Sequence, residues 1–348
     1  MNHSKLATRT VGTKSQIERS VSRRSFLAAS VAGGMGAAAL FAKNQEDSLK
    51  KKALISITLD LEMSRHYPRR GMMEWDYQKG NLSEPTKQYS VDAARIAKER
   101  GGLIHFFCVG RVLEQKSADW LKGIAAEGHP VGNHTYDHVY VLADSPEQTQ
   151  FRFQRSPWLV RGRSTKELLY DNVRLTTVAM KERAGIEPNG FRTPGGFSNG
   201  LTGREDIQQM LLDLGFTWCS AKYPAHNAGT PKQQPTAEVY DSIVNAQKNA
   251  QPFVYPTGLV EIPMSPISDV NAFRSHFWKL GSFLKAIRLG VEWAIENRAC
   301  YDFLAHPSCL VVEDPKFETV KMICDIVKQA GDKAQIVGLD TIARRVQS

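Results

Sequence analysis

The sequence predicts an α/β fold in a single domain, in which parallel strands alternate with helices and close into a barrel. Three observations support this prediction. Apolar, β-branched segments of strand length recur along the chain. Segments with helical character separate most of them, which is typical of parallel pairing. About seven such units follow one another, and that number favours a closed barrel over an open sheet.

The predicted strands share an apolar and β-branched composition. In chain order they are 53–62, 103–110, 130–133, 190–194, 216–221, 259–263, 301–305 and 335–339. The predicted helices that separate them are 91–100, 118–126, 167–184, 206–214, 283–298 and 317–330. Two long segments, 63–90 and 139–164, are predicted as loops that overhang the C-terminal face of the barrel. Trp75 and Tyr77 in the first loop, with Trp218 in a strand, are candidate substrate-binding residues.

The basic charge of the chain is concentrated at its N-terminus. The formal net charge is +9, and residues 1–24, with six basic residues and one acidic residue, carry +5 of it. An uncharged segment rich in Ala and Gly follows at 25–42, which is typical of an export signal. Arg23 and Arg24 directly precede Ser25-Phe26-Leu27, and this arrangement resembles the twin-arginine signal of bacteria.

These observations predict a twin-arginine signal peptide at 1–42, a linker at 43–52 and one folded domain at 53–348. The alternative for 25–42 is an uncleaved membrane anchor, because 18 uncharged residues approach the length of about 20 that spans a bilayer. We expect the twin-arginine export machinery as a partner, a periplasmic or secreted location, and no stable membrane insertion after signal removal.

Removal of the predicted signal leaves 306 residues with a net charge of +4. A nucleic-acid partner is therefore not expected. The chain has five Cys, an odd number that cannot all pair within one molecule. Cys108, Cys219 and Cys300 lie in or beside strand-like apolar segments, so we expect them to be buried free thiols.

Two histidines and two carboxylates predict a metal site. His134 and His138 are four residues apart and would share one face of a helical turn, so that both imidazoles could reach one metal ion. Such a pair alone occurs easily by chance. Asp60 and Glu62 end the first predicted strand. One carboxylate that completes a two-His site leaves a coordination position open for water, as in a catalytic rather than a structural zinc site.

Four motifs carry a resemblance to a known family. In chain order they are Thr58-Leu59-Asp60-Leu61-Glu62, His134-Thr135-Tyr136-Asp137-His138, Phe191-Arg192-Thr193-Pro194-Gly195-Gly196 and Phe303-Leu304-Ala305-His306. They resemble the Thr-Phe-Asp-Asp, His-Ser/Thr-x-x-His, Arg-x-Pro and Leu-x-His motifs of the polysaccharide deacetylases with a NodB homology domain, carbohydrate esterase family four. The resemblance covers roughly residues 53–348 and implies a distorted (β/α)7 barrel.

The resemblance also implies roles for these residues. Glu62, His134 and His138 would hold a divalent metal ion, Zn²⁺. Asp60 would be the general base, and Arg192 would pair with it. Because Leu61 separates the two carboxylates, whereas the family has them adjacent, Asp60 and Glu62 could exchange roles.

Two further residues complete the implied site. The backbone N–H of Gly195 would help to hold the oxyanion, and His306 would protonate the leaving amine or alkoxide. The family's Asp-Trp pair that tunes this acid is not clear in the sequence, because Trp218 lies in the right region without an adjacent Asp. Asp269 is the candidate partner of His306.

The implied activity is that of an exported, metal-dependent hydrolase that removes N-acetyl or O-acetyl groups from a cell-wall or environmental glycan. Divergent relatives hydrolyse non-peptide C–N bonds in small amides such as cyclic ureides, and this is the first alternative. A non-catalytic glycan-binding protein is the second. It would be expected to have lost a metal ligand, whereas all three candidate ligands are present here.

Overall fold

The computed structural model of this protein describes residues 51–347. The predicted signal peptide at 1–42 and most of the predicted linker lie outside these residues. Within 51–347, no helix combines the length and the apolar character needed to cross a membrane.

Strands and helices alternate along most of the described chain. The strands are β1 (Ala53–Leu61), β2 (His105–Cys108), β3 (Val131–Asn133), β4 (Phe191–Phe197), β5 (Trp218–Lys222), β6 (Phe253–Val254), β7 (Val260–Glu261), β8 (Cys300–Ala305) and β9 (Ala334–Ile336). The α-helices are α1 (Glu84–Glu99), α2 (Asp119–Ala126), α3 (Phe151–Arg155), α4 (Thr165–Ala184), α5 (Glu205–Asp213), α6 (Ala237–Ala246), α7 (Leu280–Asn297), α8 (Pro307–Glu313), α9 (Glu318–Ala330) and α10 (Leu339–Gln347). A π-helix at Val270–Ser275 and several 3₁₀ turns lie in the connections.

The strands form one curled sheet in the order β6-β7-β5-β4-β3-β2-β1-β8, with β9 paired to β1. Every ladder is parallel except the one between β6 and β7. β1 is buried along its whole length and has β8 on one edge. Its other edge pairs with β9 near Ala53 and with β2 from Thr58 onward. Since the carboxyl ends of parallel strands meet at one rim, residues that follow β1, β3, β4 and β8 lie close together there.

The sheet closes through two isolated hydrogen bonds rather than through a ladder. No ladder joins β7 to β8 in the described part of the chain. Instead, the Ser265 N–H donates to the Asp302 carbonyl oxygen (3.0 Å), and the Asp302 N–H donates to the Ser265 hydroxyl (2.9 Å). Pro263 and Pro266 flank this contact, and neither has an N–H with which to extend a ladder. The predicted α/β barrel in a single domain is therefore confirmed, as a half-barrel whose closure is incomplete.

The helix ends follow from local sequence. α4 begins with a capping box, in which Ser164 accepts from the Glu167 N–H and the Glu167 side chain accepts from the Ser164 N–H. It ends at Gly185, whose φ of +66° suits a residue without a Cβ. Most predicted elements are present with shifted bounds. α3, α6, α8, α10 and β6 were not predicted from the sequence.

The buried thiols are confirmed. All five cysteines are buried and free, and burial raises the pKa of the Cys108 thiol. These side chains pack in the core and take no part in the site described below.

Trp218 packs in the core at the amino end of β5, away from the rim. Its side chain is 5% exposed and lies edge-on to the rings of His105 (5.6 Å) and Phe107 (6.2 Å). The ring also lies against Gly190, where a Cβ would overlap it. Gly190 has a φ of +78°, so the absence of a side chain serves both its backbone conformation and the packing of Trp218.

We predict that Gly190→Ala lowers the free energy of unfolding by about 3 kcal/mol, since it adds a steric overlap to a left-handed backbone. Urea denaturation of the purified protein measures this change. Gly123→Ala in α2 is the matched control, because a Cβ there meets nothing within 4 Å. It should be neutral or slightly stabilising. Equal effects of the two variants would contradict the packing role of Gly190.

Candidate active site

The candidate catalytic side chains come together at the rim formed by the carboxyl ends of the strands. They share one cavity of ≈ 700 Å³ or its immediate wall. Those that line the cavity are Asp60, Glu62, His134, His138, Gly195 and His306. Four different strands or the residues directly after them supply these groups, so the fold rather than the sequence order brings them together.

The two histidines meet on a bent loop and not on a helix. The segment after β3 is irregular, and Thr135 and His138 both have a φ of +58°. The Thr135 N–H donates to Asn133 Oδ1 (2.9 Å), and the Val139 N–H donates to Thr135 Oγ1 (3.0 Å). These bonds turn the chain so that the imidazole centroids of His134 and His138 lie 5.1 Å apart. The prediction of a helical turn was wrong, because the side chains of Asn133 and Thr135 accept backbone N–H groups in place of the helical carbonyl oxygens.

Glu62, His134 and His138 offer ligand atoms that all lie within 4.8 Å of one another. Glu62 Oε2 is buried without a hydrogen-bond partner and lies 2.5 Å from His138 Nε2. His134 Nδ1 lies 2.9 Å from the carbonyl oxygen of Arg192 and donates to it. Burial lowers the pKa of His134 to about 4, so its other nitrogen keeps a lone pair. One carboxylate and two imidazoles fit a divalent metal ion, zinc in particular.

Asp60 is held by a buried guanidinium. Arg192 has no exposed surface, and its Nη1 lies 3.1 Å from Asp60 Oδ1 and 2.7 Å from Thr58 Oγ1. Its Nη2 donates to Asp302 and to the Ser220 hydroxyl. The second oxygen of Asp60, Oδ2, faces the cavity side and lies 3.7 Å from His134 Nε2.

His306 lies against a buried carboxylate. Its Nδ1 is 2.9 Å from Asp269 Oδ1, and its backbone N–H donates to Asp269 Oδ2 (2.7 Å). Burial alone would lower the pKa of His306, but the nearby charge of Asp269, with those of Glu62 and Asp60, outweighs it and raises this pKa. Nε2 is left to face Glu62 Oε1 at 3.6 Å and Asp60 Oδ2 at 4.0 Å.

Gly195 lies at the wall of the cavity in an irregular part of β4. The register between β4 and β5 shifts between Arg192 and Phe197, so Gly195 belongs to a bulge. Its φ of +79° is readily adopted only by glycine. A bulge re-aims backbone groups, and Gly195 itself lines the cavity.

The three predicted substrate-binding residues do not line the cavity. Trp218 lies in the core at the opposite end of its strand, so its prediction as a substrate-binding residue was wrong. Trp75 packs partly buried against the hydrophobic core, and Tyr77 lies under the guanidinium of Arg155 at 4.9 Å. The 3₁₀ turn that carries both aromatics aims them at the protein instead of at the cavity.

Several charged groups of the site were not predicted from the sequence. Lys79 is buried, and its Nζ lies 3.1 Å from Glu62 Oε1. At the cavity wall, Arg65 Nε donates to both carboxylate oxygens of buried Asp76. Neither pair has a signal in the sequence, because both depend on how the first long loop folds. Asp302 did have a signal in the sequence, since a carboxylate in the middle of an apolar strand is energetically costly without a partner.

Comparisons with known proteins agree with this architecture. Residues 75–217 match the family model described as polysaccharide deacetylase. Two similar solved structures are a putative polysaccharide deacetylase from Mycobacterium smegmatis (TM-score 0.55, 14% identity, 85% of this chain and 91% of that chain) and the Puue allantoinase (TM-score 0.55, 12% identity, 85% and 90%). A third is a probable polysaccharide deacetylase from Pseudomonas aeruginosa PAO1 (TM-score 0.54, 12% identity, 85% and 91%).

No curated protein matches this chain. At identities this low, the solved structures show the fold, which is the NodB-type barrel, and the likeness to the family rests on the match of residues 75–217 to its model. Residues 75–217 of this chain therefore resemble the polysaccharide deacetylases, a family of hydrolases, and the described chain has the fold of their NodB-type barrel.

Proposed function

We propose that this protein is a metal-dependent deacetylase that removes N-acetyl or O-acetyl groups from a glycan. The observation that carries the proposal is the cluster of Glu62, His134 and His138, whose ligand atoms lie within 4.8 Å of one another in a cavity that Asp60 and His306 also line. A bound divalent ion would supply Lewis acidity toward the acyl carbonyl and would lower the pKa of a water molecule.

Asp60 is the general base of this proposal. Arg192 holds Asp60 Oδ1 at 3.1 Å, which fixes the orientation of the carboxylate. Oδ2 then accepts the proton of the attacking water. The backbone N–H of Gly195 donates to the oxyanion as charge develops on the acyl oxygen.

His306 is the general acid. Its Nδ1 is bonded to Asp269, so the proton for the leaving amine or alkoxide comes from Nε2, which faces the cavity. The raised pKa of His306 favours the imidazolium form that this step needs.

The cavity wall supports a sugar as the substrate. It carries the amide side chains of Gln148 and Gln154, which match the hydroxyls of a sugar. Tyr140 and Phe151 also line it and are 46% and 43% exposed, so both rings are accessible for packing against a sugar face.

We predict that the purified protein contains about one divalent metal ion per chain and releases acetate from acetylated chitooligosaccharide, acetylxylan or peptidoglycan. His134→Ala should lose the metal and lower kcat/KM by about a thousandfold, because several kcal/mol of transition-state stabilisation are removed. Metal analysis and acetate assays measure both effects. His226→Ala is the control, since His226 lies outside the cavity lining.

A metal-free protein whose His134→Ala variant keeps full activity would refute the metal-dependent reaction. Bound metal without acetate release from any glycan would favour hydrolysis of a small amide or cyclic ureide. Glycan binding without turnover of any amide or ester would favour the binding protein.

We predict that Asp269→Asn slows N-acetyl hydrolysis by about 10- to 100-fold, because His306 then holds its proton less well. Hydrolysis of 4-nitrophenyl acetate, whose leaving group departs without protonation, should change little. The ratio of the two rates separates a general acid from a structural residue. Equal loss on both substrates would argue against His306 as the proton donor.

Export by the twin-arginine route remains a prediction that depends on Arg23 and Arg24. Replacing both by Lys keeps the charge and should retain the protein in the cytoplasm. Cell fractionation measures this, and unchanged export of the double variant would contradict the route.

A further inference from the structure

We propose that the cavity takes an anionic substrate, an acylated sugar that carries a carboxylate, and that Arg274 binds this carboxylate. The inference rests on the proposed deacetylase function, since it names the substrate class of the same site. It concerns a different part of the cavity wall from the candidate metal ligands.

Arg274 differs from the other Arg and Lys side chains that line the cavity. Arg65 is paired with Asp76 at 2.9 Å, and Lys79 is paired with Glu62 at 3.1 Å. Among residues 51–347, the guanidinium of Arg274 has no carboxylate within 4.0 Å and makes no side-chain hydrogen bond. A half-buried guanidinium is a strong donor, and an anionic ligand would supply the missing acceptor.

The carboxylates of the cavity wall cannot supply the acceptor that the Arg274 guanidinium lacks. Asp60 is bound to Arg192, Glu62 to Lys79 and Asp76 to Arg65. Each of these acidic groups already has a cationic partner. The charge of Arg274 is therefore left uncompensated by the described wall of the cavity.

The backbone of Arg274 is held in place from behind. It lies in the π-helix Val270–Ser275, and Arg70 Nη1 donates to the Arg274 carbonyl oxygen at 2.8 Å. The Arg70 guanidinium also stacks over the Phe277 ring at 4.1 Å. Single π-helical turns are frequent at functional sites. Because this segment is fixed, less conformational entropy is lost when Arg274 binds a ligand.

Neighbouring groups complete the polar wall and keep it positive. Asn271 and Ser275 lie three residues before and one residue after Arg274, and both line the cavity. The pKa of nearby His66 is lowered, first by burial and then by the charges of Arg70, Arg274 and Arg65. This region thus repels protons and attracts anions.

A carboxylate suits this position better than a phosphate. One guanidinium offers two parallel donors that match the two oxygens of a carboxylate. A phosphate usually recruits several cations or a helix N-terminus, and Arg65 is already committed to Asp76. Together with the sugar-binding character of the wall, this points to an acidic sugar rather than a phosphorylated one.

The test compares two substrates that differ in one charge. The first is the disaccharide of N-acetylglucosamine and N-acetylmuramic acid with its free lactyl carboxylate, and the second carries the primary amide at that position. We expect wild-type protein to prefer the carboxylate by about 10- to 100-fold in kcat/KM for acetate release, mainly through KM. Arg274→Gln should bring this ratio to about one, and Arg274→Lys should retain part of it.

Arg298→Gln is the matched control. Arg298 is exposed at the end of α7, on the amino side of β8, and its removal changes the net charge equally. The control should keep the wild-type ratio. A ratio of about one for wild type, or an unchanged ratio in Arg274→Gln, overturns the anion site while the acetate release itself supports the deacetylase.

Calorimetric titration of the same two disaccharides separates the two proposals further. If neither compound releases acetate, but wild type binds the carboxylate at least tenfold more tightly than the amide and Arg274→Gln does not, the anion site stands and the deacetylase fails. Equal affinities in wild type overturn the anion site.

Discussion

The site depends on one buried ion cluster around Arg192. A guanidinium with no exposed surface is compatible with a stable fold only if carboxylates compensate its charge and acceptors bind its N–H groups. Asp60 from β1, Asp302 from β8 and Ser220 from β5 meet them, and the ring of Phe107 lies 4.3 Å from the guanidinium carbon. Arg192 therefore ties β4 to three other strands inside the barrel. Burial raises the pKa of Asp302 to about 6, against the opposing effect of Arg192.

This cluster gives the two carboxylates of β1 different surroundings. Asp60 has one oxygen occupied by Arg192, whereas Glu62 has Oε1 paired with Lys79 and Oε2 without a hydrogen-bond partner. A carboxylate oxygen that lacks a donor is the better candidate for a metal ion, and one that is oriented by a cation is the better candidate for a base. The assignment of Glu62 to the metal and Asp60 to the base thus has a physical reason that their spacing alone does not provide.

Much of the fold could be predicted because its signals are local. β1 and β8 are apolar along most of their length, and the polar residues at their ends follow directly from the sequence. The side of the sheet toward which each side chain points could not be predicted in the same way. In a parallel strand covered on both sides, alternation does not tell which side carries the site, and Trp218 illustrates this. Lys79 and Arg274 depend on tertiary contacts of long connections, such as the bond from the Met63 N–H to the Lys79 carbonyl oxygen.

The left-handed backbone at Thr135 and His138 has a consequence for affinity. Each such residue costs about 1–2 kcal/mol relative to ordinary conformations. The hydrogen bonds that the Asn133 and Thr135 side chains accept hold the loop in this conformation without any ligand. The free-energy cost of this strained backbone is already offset when the chain folds. In the proposed metal site, an arriving cation would find the two imidazoles assembled and would spend little of its binding energy on ordering them. Asn133 would therefore contribute to the affinity of a proposed metal site that it does not touch, because its side chain helps to hold this loop in place.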